Sequence, residues 1–203
     1  NLKAKNFALM ECPLDKTETS SWKNYTKYDK KILTEEFSVF HGFLVVKESH
    51  EGLLKLKIID RKDKSYHYIE TDDETYSIDL YMNMEFSEKF FTYTYESMTT
   101  PYSVYEYSFK DRSKKILKEK KIEGGFNKDD YVSKRVFAPA RDDEKIPISI
   151  VYRKDLKLSS KTPLLQYAYG SYGETIDPYF SSQRLSLLDR GFVFAICHIR
   201  GSS

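Results

Sequence analysis

The sequence predicts a mostly β chain of repeated four-stranded units that gives way, in its last third, to the start of an α/β sheet. Three observations point there. Tyr and Phe are abundant, 17 and 13 of 203 residues, and aromatic side chains favour half-buried pleated surfaces. Runs of alternating apolar and polar residues recur at an offset of roughly 45–50 residues, the span of one propeller blade. Near the end, Phe192-Val193-Phe194-Ala195-Ile196-Cys197 is apolar without alternation, as suits a strand covered on both faces.

The alternating runs come first. Leu54, Leu56 and Ile58 alternate with Lys55 and Lys57, the signature of a half-buried strand. Phe91, Tyr93 and Tyr95 alternate with Thr92 and Thr94, and Tyr105, Tyr107 and Phe109 with Val104, Glu106 and Ser108. The strand at 43–48 followed by 53–60 resembles 90–96 followed by 103–109. Residues 77–121 hold four candidate strands (77–81, 90–96, 103–109 and 114–119), enough for one blade. Two blades and an incomplete one are expected; a β-sandwich of the same strands is the alternative that periodicity leaves open.

The character changes around Glu123-Gly124-Gly125-Phe126. Strands at 131–138 and 146–152 flank the polar turn Arg141-Asp142-Asp143-Glu144 and read as a hairpin. A strand at 163–169 ends in the turn-rich Gly170-Ser171-Tyr172-Gly173. Residues 181–190 read as a short helix, with Ser181 or Ser182 as cap, Leu185, Leu187 and Leu188 on its apolar side, Arg190 in its last turn and Gly191 as its left-handed stop. Hairpin, strand, helix, strand is how an α/β sheet begins.

Composition narrows the function. Hydrophobic residues make up 40% and charged residues 32%, and 33 Lys+Arg against 31 Asp+Glu leave a net charge of +2. Nucleic-acid binders carry a clustered basic excess, so nucleic acid is not an expected partner. Asp111 and Glu119 interrupt the Lys-rich stretch 110–121, which reads as a solvated strand-and-turn surface. No apolar run approaches the ~20 residues of a membrane span, and no membrane association is expected. Cys12 and Cys197 lie far apart without metal-ligand or framework spacing. A cytoplasmic location fits them best, with a periplasmic one the alternative. His41, His50 and His67 have no metal logic in their spacing, and no cofactor is expected. Asn1 opens the chain and Gly201-Ser202-Ser203 closes it just after a buried-looking strand, so both ends are expected to be cut.

Ordered motifs then make the reading specific. Tyr167-Ala168-Tyr169-Gly170-Ser171-Tyr172-Gly173, Asp177-Pro178-Tyr179-Phe180, Arg190-Gly191-Phe192 and His198-Ile199-Arg200-Gly201 strongly resemble the prolyl oligopeptidase family of serine peptidases. The Tyr-Gly-Ser-Tyr-Gly form is similar to the oligopeptidase B branch. So are Tyr95-Glu96-Ser97-Met98-Thr99-Thr100-Pro101, Gly124-Gly125-Phe126 and Tyr131-Val132-Ser133-Lys134-Arg135. The resemblance spans most of the chain. It implies the last blades of a β-propeller over residues 1–122, then the N-terminal part of an α/β-hydrolase peptidase domain over 123–203. It further implies Ser-His-Asp acyl transfer on short peptides, after Lys or Arg. Two positions depart from the family pattern: Ala168 stands where Gly is usual, and Gly201-Ser202-Ser203 where many members read Gly-Gly-Gly-Glu.

Hydrolases of this fold carry the nucleophile on a Gly-x-Ser-x-Gly elbow, followed by Asp and then His. The sequence holds no such elbow, so the triad is expected downstream and this chain alone is expected to be inactive. The missing remainder of the hydrolase domain is its expected partner, and short peptides are the substrates of the whole. His198 lies upstream of where the nucleophile belongs and is expected to be a strand-end histidine satisfied by local hydrogen bonds. Acyl transfer also needs donors aimed at the charge that develops on the carbonyl oxygen. The resemblance assigns part of that task to the Tyr169 hydroxyl, and Tyr169 ends a predicted central strand on the side where α/β sheets place ligands. A tyrosine there could equally be a core residue bonded to backbone. Tyr172 matches the position whose ring walls the pocket for the residue before the scissile bond; loop packing is its alternative. Tyr167 acquires no chemistry, and Arg200 is expected in a structural ion pair. A binding or scaffolding propeller with a non-catalytic hydrolase domain is the competing reading. A lipase-like esterase is disfavoured by the strand-rich first half and the lack of a His-Gly-Gly-Gly loop.

Overall fold

A computed structural model describes residues 3–201. The departure at Ser202-Ser203 therefore lies outside the described residues. The chain opens with a two-stranded ribbon, β1 (Met10–Glu11) and β2 (Lys23–Asn24). Two four-stranded sheets follow. The first joins β3 (Ile32–Val39), β4 (Phe43–His50), β5 (Leu53–Asp60) and β6 (Tyr66–Tyr68). The second joins β7 (Tyr76–Leu80), β8 (Phe90–Ser97), β9 (Ser103–Ser108) and β10 (Lys114–Glu119).

Both sheets are antiparallel meanders in which each strand pairs with its neighbour in sequence. Sandwiches interleave their strands through Greek-key crossings, whereas a blade is a single four-stranded sheet. The in-order pairing thus resolves the blade-or-sandwich alternative in favour of blades. The repeated pairs turn out to be the second and third strands of consecutive blades. Where an incomplete third blade is expected, the N-terminal residues form the two-stranded ribbon.

The blades pack face to face through one core. Leu54, Leu56 and Ile58 of β5 meet Ile78 of β7 and Phe91, Tyr93 and Tyr95 of β8. Phe109 stacks on Phe43 at 4.4 Å and meets Phe40 edge-on at 5.1 Å. This is where the abundant aromatics go: each buries a large area, and offset or edge-on pairs add to it. The opposite face of the first sheet is covered too, because Leu44, Val46 and Ile59 pack beneath Leu9 and Tyr25. Strand β10 is exposed along its length, as its Lys-rich sequence requires.

The third sheet comprises β11 (Tyr131–Pro139), β12 (Lys145–Arg153), β13 (Leu164–Ala168) and β14 (Val193–Cys197), in the order β11-β12-β14-β13. Strand β14 runs antiparallel to β12 and parallel to β13. The sheet is therefore mixed, and its apolar strand lies between two neighbours. Helix α1 (Ser182–Leu188) makes the β13-to-β14 crossover. Ser181 occupies the N-cap position, but its side chain makes no capping bond, so the expected cap is positional only. The stop is as expected: Gly191 adopts φ 84°, and the Gly191 and Phe192 N–H groups donate to the Leu188 and Leu187 carbonyls.

The apolar side of α1 is narrower than its leucines suggest. Leu188 is buried with Val151, Phe194, Ile196 and the blade residue Met98, and Leu185 packs at the edge of that cluster. The other buried helix residue is Arg184. Its guanidinium lies 4.0 Å from the Phe194 ring centre and 4.8 Å from that of Tyr179, and it donates to the Tyr179 carbonyl at 2.9 Å.

Candidate functional site

Strand β13 ends at Ala168, and Tyr169 follows it at the rim of the third sheet. The Tyr169 side chain is 38% exposed and lines a cleft of about 980 Å³. One wall is the β11–β12 turn, with Asp142 and Glu144; another is the segment after β14, with His198 and Arg200. The third comes from the first blade, whose β4–β5 hairpin turn presents Glu51 and Gly52. The tyrosine thus stands where a blade meets the third sheet.

The backbone behind Tyr169 is closely fitted. A Cβ on Gly170 would lie 2.8 Å from Ile199 Cγ1 and 2.9 Å from the Arg200 carbonyl oxygen. Gly201, at φ 99°, leaves no room for a side chain against the Gly170 carbonyl. Two glycines therefore let the strand-end segments touch, and Ile199 sets how far Gly170 can move.

Tyr172 does not share the cleft with Tyr169. Its ring is 95% exposed, it adopts left-handed backbone at φ 59°, and it does not line the cleft. Tyr167 is exposed on the edge strand. Arg200 pairs with Asp142 across the cleft wall, the structural ion pair expected of it.

His198 has its partner, though not a local one. Its Nε2 lies 2.8 Å from Ser149 Oγ on β12, and Ser149 Oγ is in turn hydrogen-bonded to Thr75 Oγ1, just before β7. Thr75 and Ser149 are both fully buried. Burial, helped by the nearby Arg135 charge, pushes the His198 pKa down to about 4, so the imidazole is neutral near pH 7. Neither Thr75 nor Ser149 was identifiable from sequence. They lie 74 residues apart, and a lone Thr before a strand or a lone Ser within one carries no pattern.

Further bonds tie the blades to the third sheet. Arg135 donates its backbone N–H to Glu74 Oε2 at 3.1 Å and its guanidinium to the Glu51 carbonyl. The Ser77 hydroxyl donates to Asp177 Oδ2 at 3.1 Å, and the Phe180 N–H to Glu96 Oε2 at 2.9 Å. Burial raises the pKa of both carboxyls. Among the described residues no group of His, Cys, Asp or Glu is arranged to hold a metal ion. No helix there is long and apolar enough to cross a membrane.

Fold and cleft together define a β-propeller protein whose blades close over the rim of a mixed sheet. Residues 1–120 match the family model described as prolyl oligopeptidase, N-terminal beta-propeller domain, and the chain belongs to the prolyl oligopeptidase family. Over 98% of its length it is 43% identical to dipeptidyl aminopeptidase BI of Pseudoxanthomonas mexicana, and over 98% it is 28% identical to protease 2 of Moraxella lacunata. Oligopeptidase B from Leishmania major superposes with a TM-score of 0.86 at 33% identity, covering 98% of this chain and 29% of that one. The chain spans only 27–28% of the length of those two sequence relatives.

Proposed function

We propose that this chain is part of a serine oligopeptidase that hydrolyses short peptides after Lys or Arg, with the Ser-His-Asp triad supplied by the rest of the protein. Residues 1–122 are its propeller blades, and residues 123–203 begin its α/β-hydrolase domain. The observation that carries this reading is the Tyr169 hydroxyl at the carboxyl end of β13, exposed to a cleft between blade and sheet. In an α/β sheet that end is where ligands sit, and a phenol there can donate to a developing oxyanion. Tyr172, exposed and without a place in the cleft wall, is free to lie along a bound guanidinium. The free thiols Cys12 and Cys197 suit the cytoplasm, where we place the protein.

The test is Tyr169→Phe in the full-length protein. The hydroxyl acts mainly in the transition state, so kcat should fall about a hundredfold, or ~3 kcal/mol, with KM little changed. An unaltered kcat removes Tyr169 from the mechanism.

A second reading follows from the 43% identity to a dipeptidyl aminopeptidase: cleavage of two residues at a time from a free amino terminus. Fluorogenic dipeptide amides ending in arginine, with free and with acylated amino groups, separate the two. Turnover confined to the free amine favours the aminopeptidase.

A further inference from the structure

We propose that Thr75, a residue of the propeller, is a positioning residue for peptide hydrolysis, acting on Tyr169 through Ser149, His198 and the segment that follows β14. This rests on the reading of Tyr169 as the oxyanion donor.

The connection is continuous. Thr75 Oγ1 bonds Ser149 Oγ, and Ser149 Oγ bonds His198 Nε2 at 2.8 Å. The His198 N–H donates to the Pro147 carbonyl at 3.0 Å, which pins the backbone at the same residue. The next residue, Ile199, abuts Gly170, and Gly170 is the residue after Tyr169. His198 is also covered from the propeller side, since a Cβ on Gly52 would lie 3.6 Å from its Cβ. Both hydroxyls are fully buried, where an unsatisfied polar group is costly, and the connection reaches the surface only at Ile199, which is 38% exposed. The neutral imidazole has one donor and one acceptor nitrogen, and either can pair with the Ser149 hydroxyl, which itself donates or accepts. A placement error of an ångström at a reacting group is enough to slow chemistry strongly. The propeller thus does more than restrict entry to the cleft. Its seating on β12 sets where the Tyr169 hydroxyl points.

The experiment compares the full-length wild type with Thr75→Val, Thr75→Ser, Tyr169→Phe and the double variant Thr75→Val/Tyr169→Phe, on a peptidyl-arginine fluorogenic amide. Thr75→Val should lower kcat by roughly three- to thirtyfold with KM within about twofold, a size typical of coupling through packed networks. Thr75→Ser keeps the hydroxyl and should restore most of the rate. In the double variant the Thr75→Val effect should vanish, because the group it positions is gone. Should Thr75→Val fail to fold, Ser149→Ala removes the same link from the other side and faces the same criteria. A wild-type kcat for Thr75→Val, or a loss that persists undiminished beside Tyr169→Phe, overturns the inference while leaving the peptidase reading intact. A wild-type kcat for Tyr169→Phe removes the reading of Tyr169 as the oxyanion donor, and the inference with it.

Discussion

Ile199 occupies the space a side chain at Gly170 would need: a Cβ there would come within 2.8 Å of Ile199 Cγ1, with the Arg200 carbonyl oxygen at 2.9 Å. A flexible side-chain end can give way, but a strand-end carbonyl cannot shift without moving its neighbours. Gly173, three residues on, is different: it adopts φ 73° yet has open space around its Cβ direction.

The two glycines should therefore respond differently to alanine. Gly170→Ala should displace Tyr169 and lower kcat of the full-length protein roughly ten- to a hundredfold. Gly173→Ala bears only left-handed backbone strain, roughly 1–2 kcal/mol, and should cost stability more than rate. Equal kcat values for the two variants would show that the Gly170 contact does not bear on Tyr169.

His198 sets a pH dependence of stability. Its folded pKa is depressed to about 4 from 6.5, so between those values the unfolded chain takes up a proton that the folded one refuses. The stability tied to the neutral imidazole is complete above about pH 6.5 and is lost as pH falls towards 4, by on the order of 3 kcal/mol. Urea midpoints of the wild type and of His198→Asn, compared from pH 7.5 to 4, should converge or cross as pH drops. A pH-independent difference would mean that the ring is not held neutral.

Arg184 is held by ring faces and one carbonyl rather than by a carboxylate, and burial lowers its pKa. Arg184→Ala should lose roughly 2–4 kcal/mol, since it empties a buried site and frees the Tyr179 carbonyl. Arg184→Met fills the space without a buried charge and should cost less than half as much. Thermal unfolding of both variants decides this; a methionine variant as unstable as the alanine one would make the charge itself the stabilising feature.

The chain by itself should not hydrolyse arginine or lysine ester peptides, because the triad is assigned to the rest of the protein. Clear turnover by residues 1–203 alone, abolished by a serine-directed phosphonate, would contradict that assignment.

The strands were legible where one face is buried and the other wet. Strands β5 and β8 alternate in sequence and in burial, β5 as far as Ile58, whereas β9 alternates in sequence but buries both Ser103 and Val104. Strand β3 announced itself poorly, since its register shifts between Thr34 and Glu36 and breaks the period of two. The two-residue strands β1 and β2 are too short to carry any period. At the site, Tyr169 was legible through its motif and its place at a strand end. Arg184 was not: a helix of three leucines suggests an apolar face, and only the rings of Tyr179 and Phe194 explain a buried guanidinium.

Sequence by itself determined the blade repeat, the strands and helix of the sheet that follows the blades, the family and the candidate tyrosine. Those properties depend on local periodicity and on neighbouring residues along the chain. Tertiary structure alone decided the blade meander over a sandwich, the mixed order of the third sheet, the exposure of Tyr172 outside the cleft wall and the Thr75–Ser149–His198 connection. Strand pairing, exposure and side-chain contact are all settled in space, and a hydrogen bond spanning 74 residues leaves no trace in the order of the amino acids it joins.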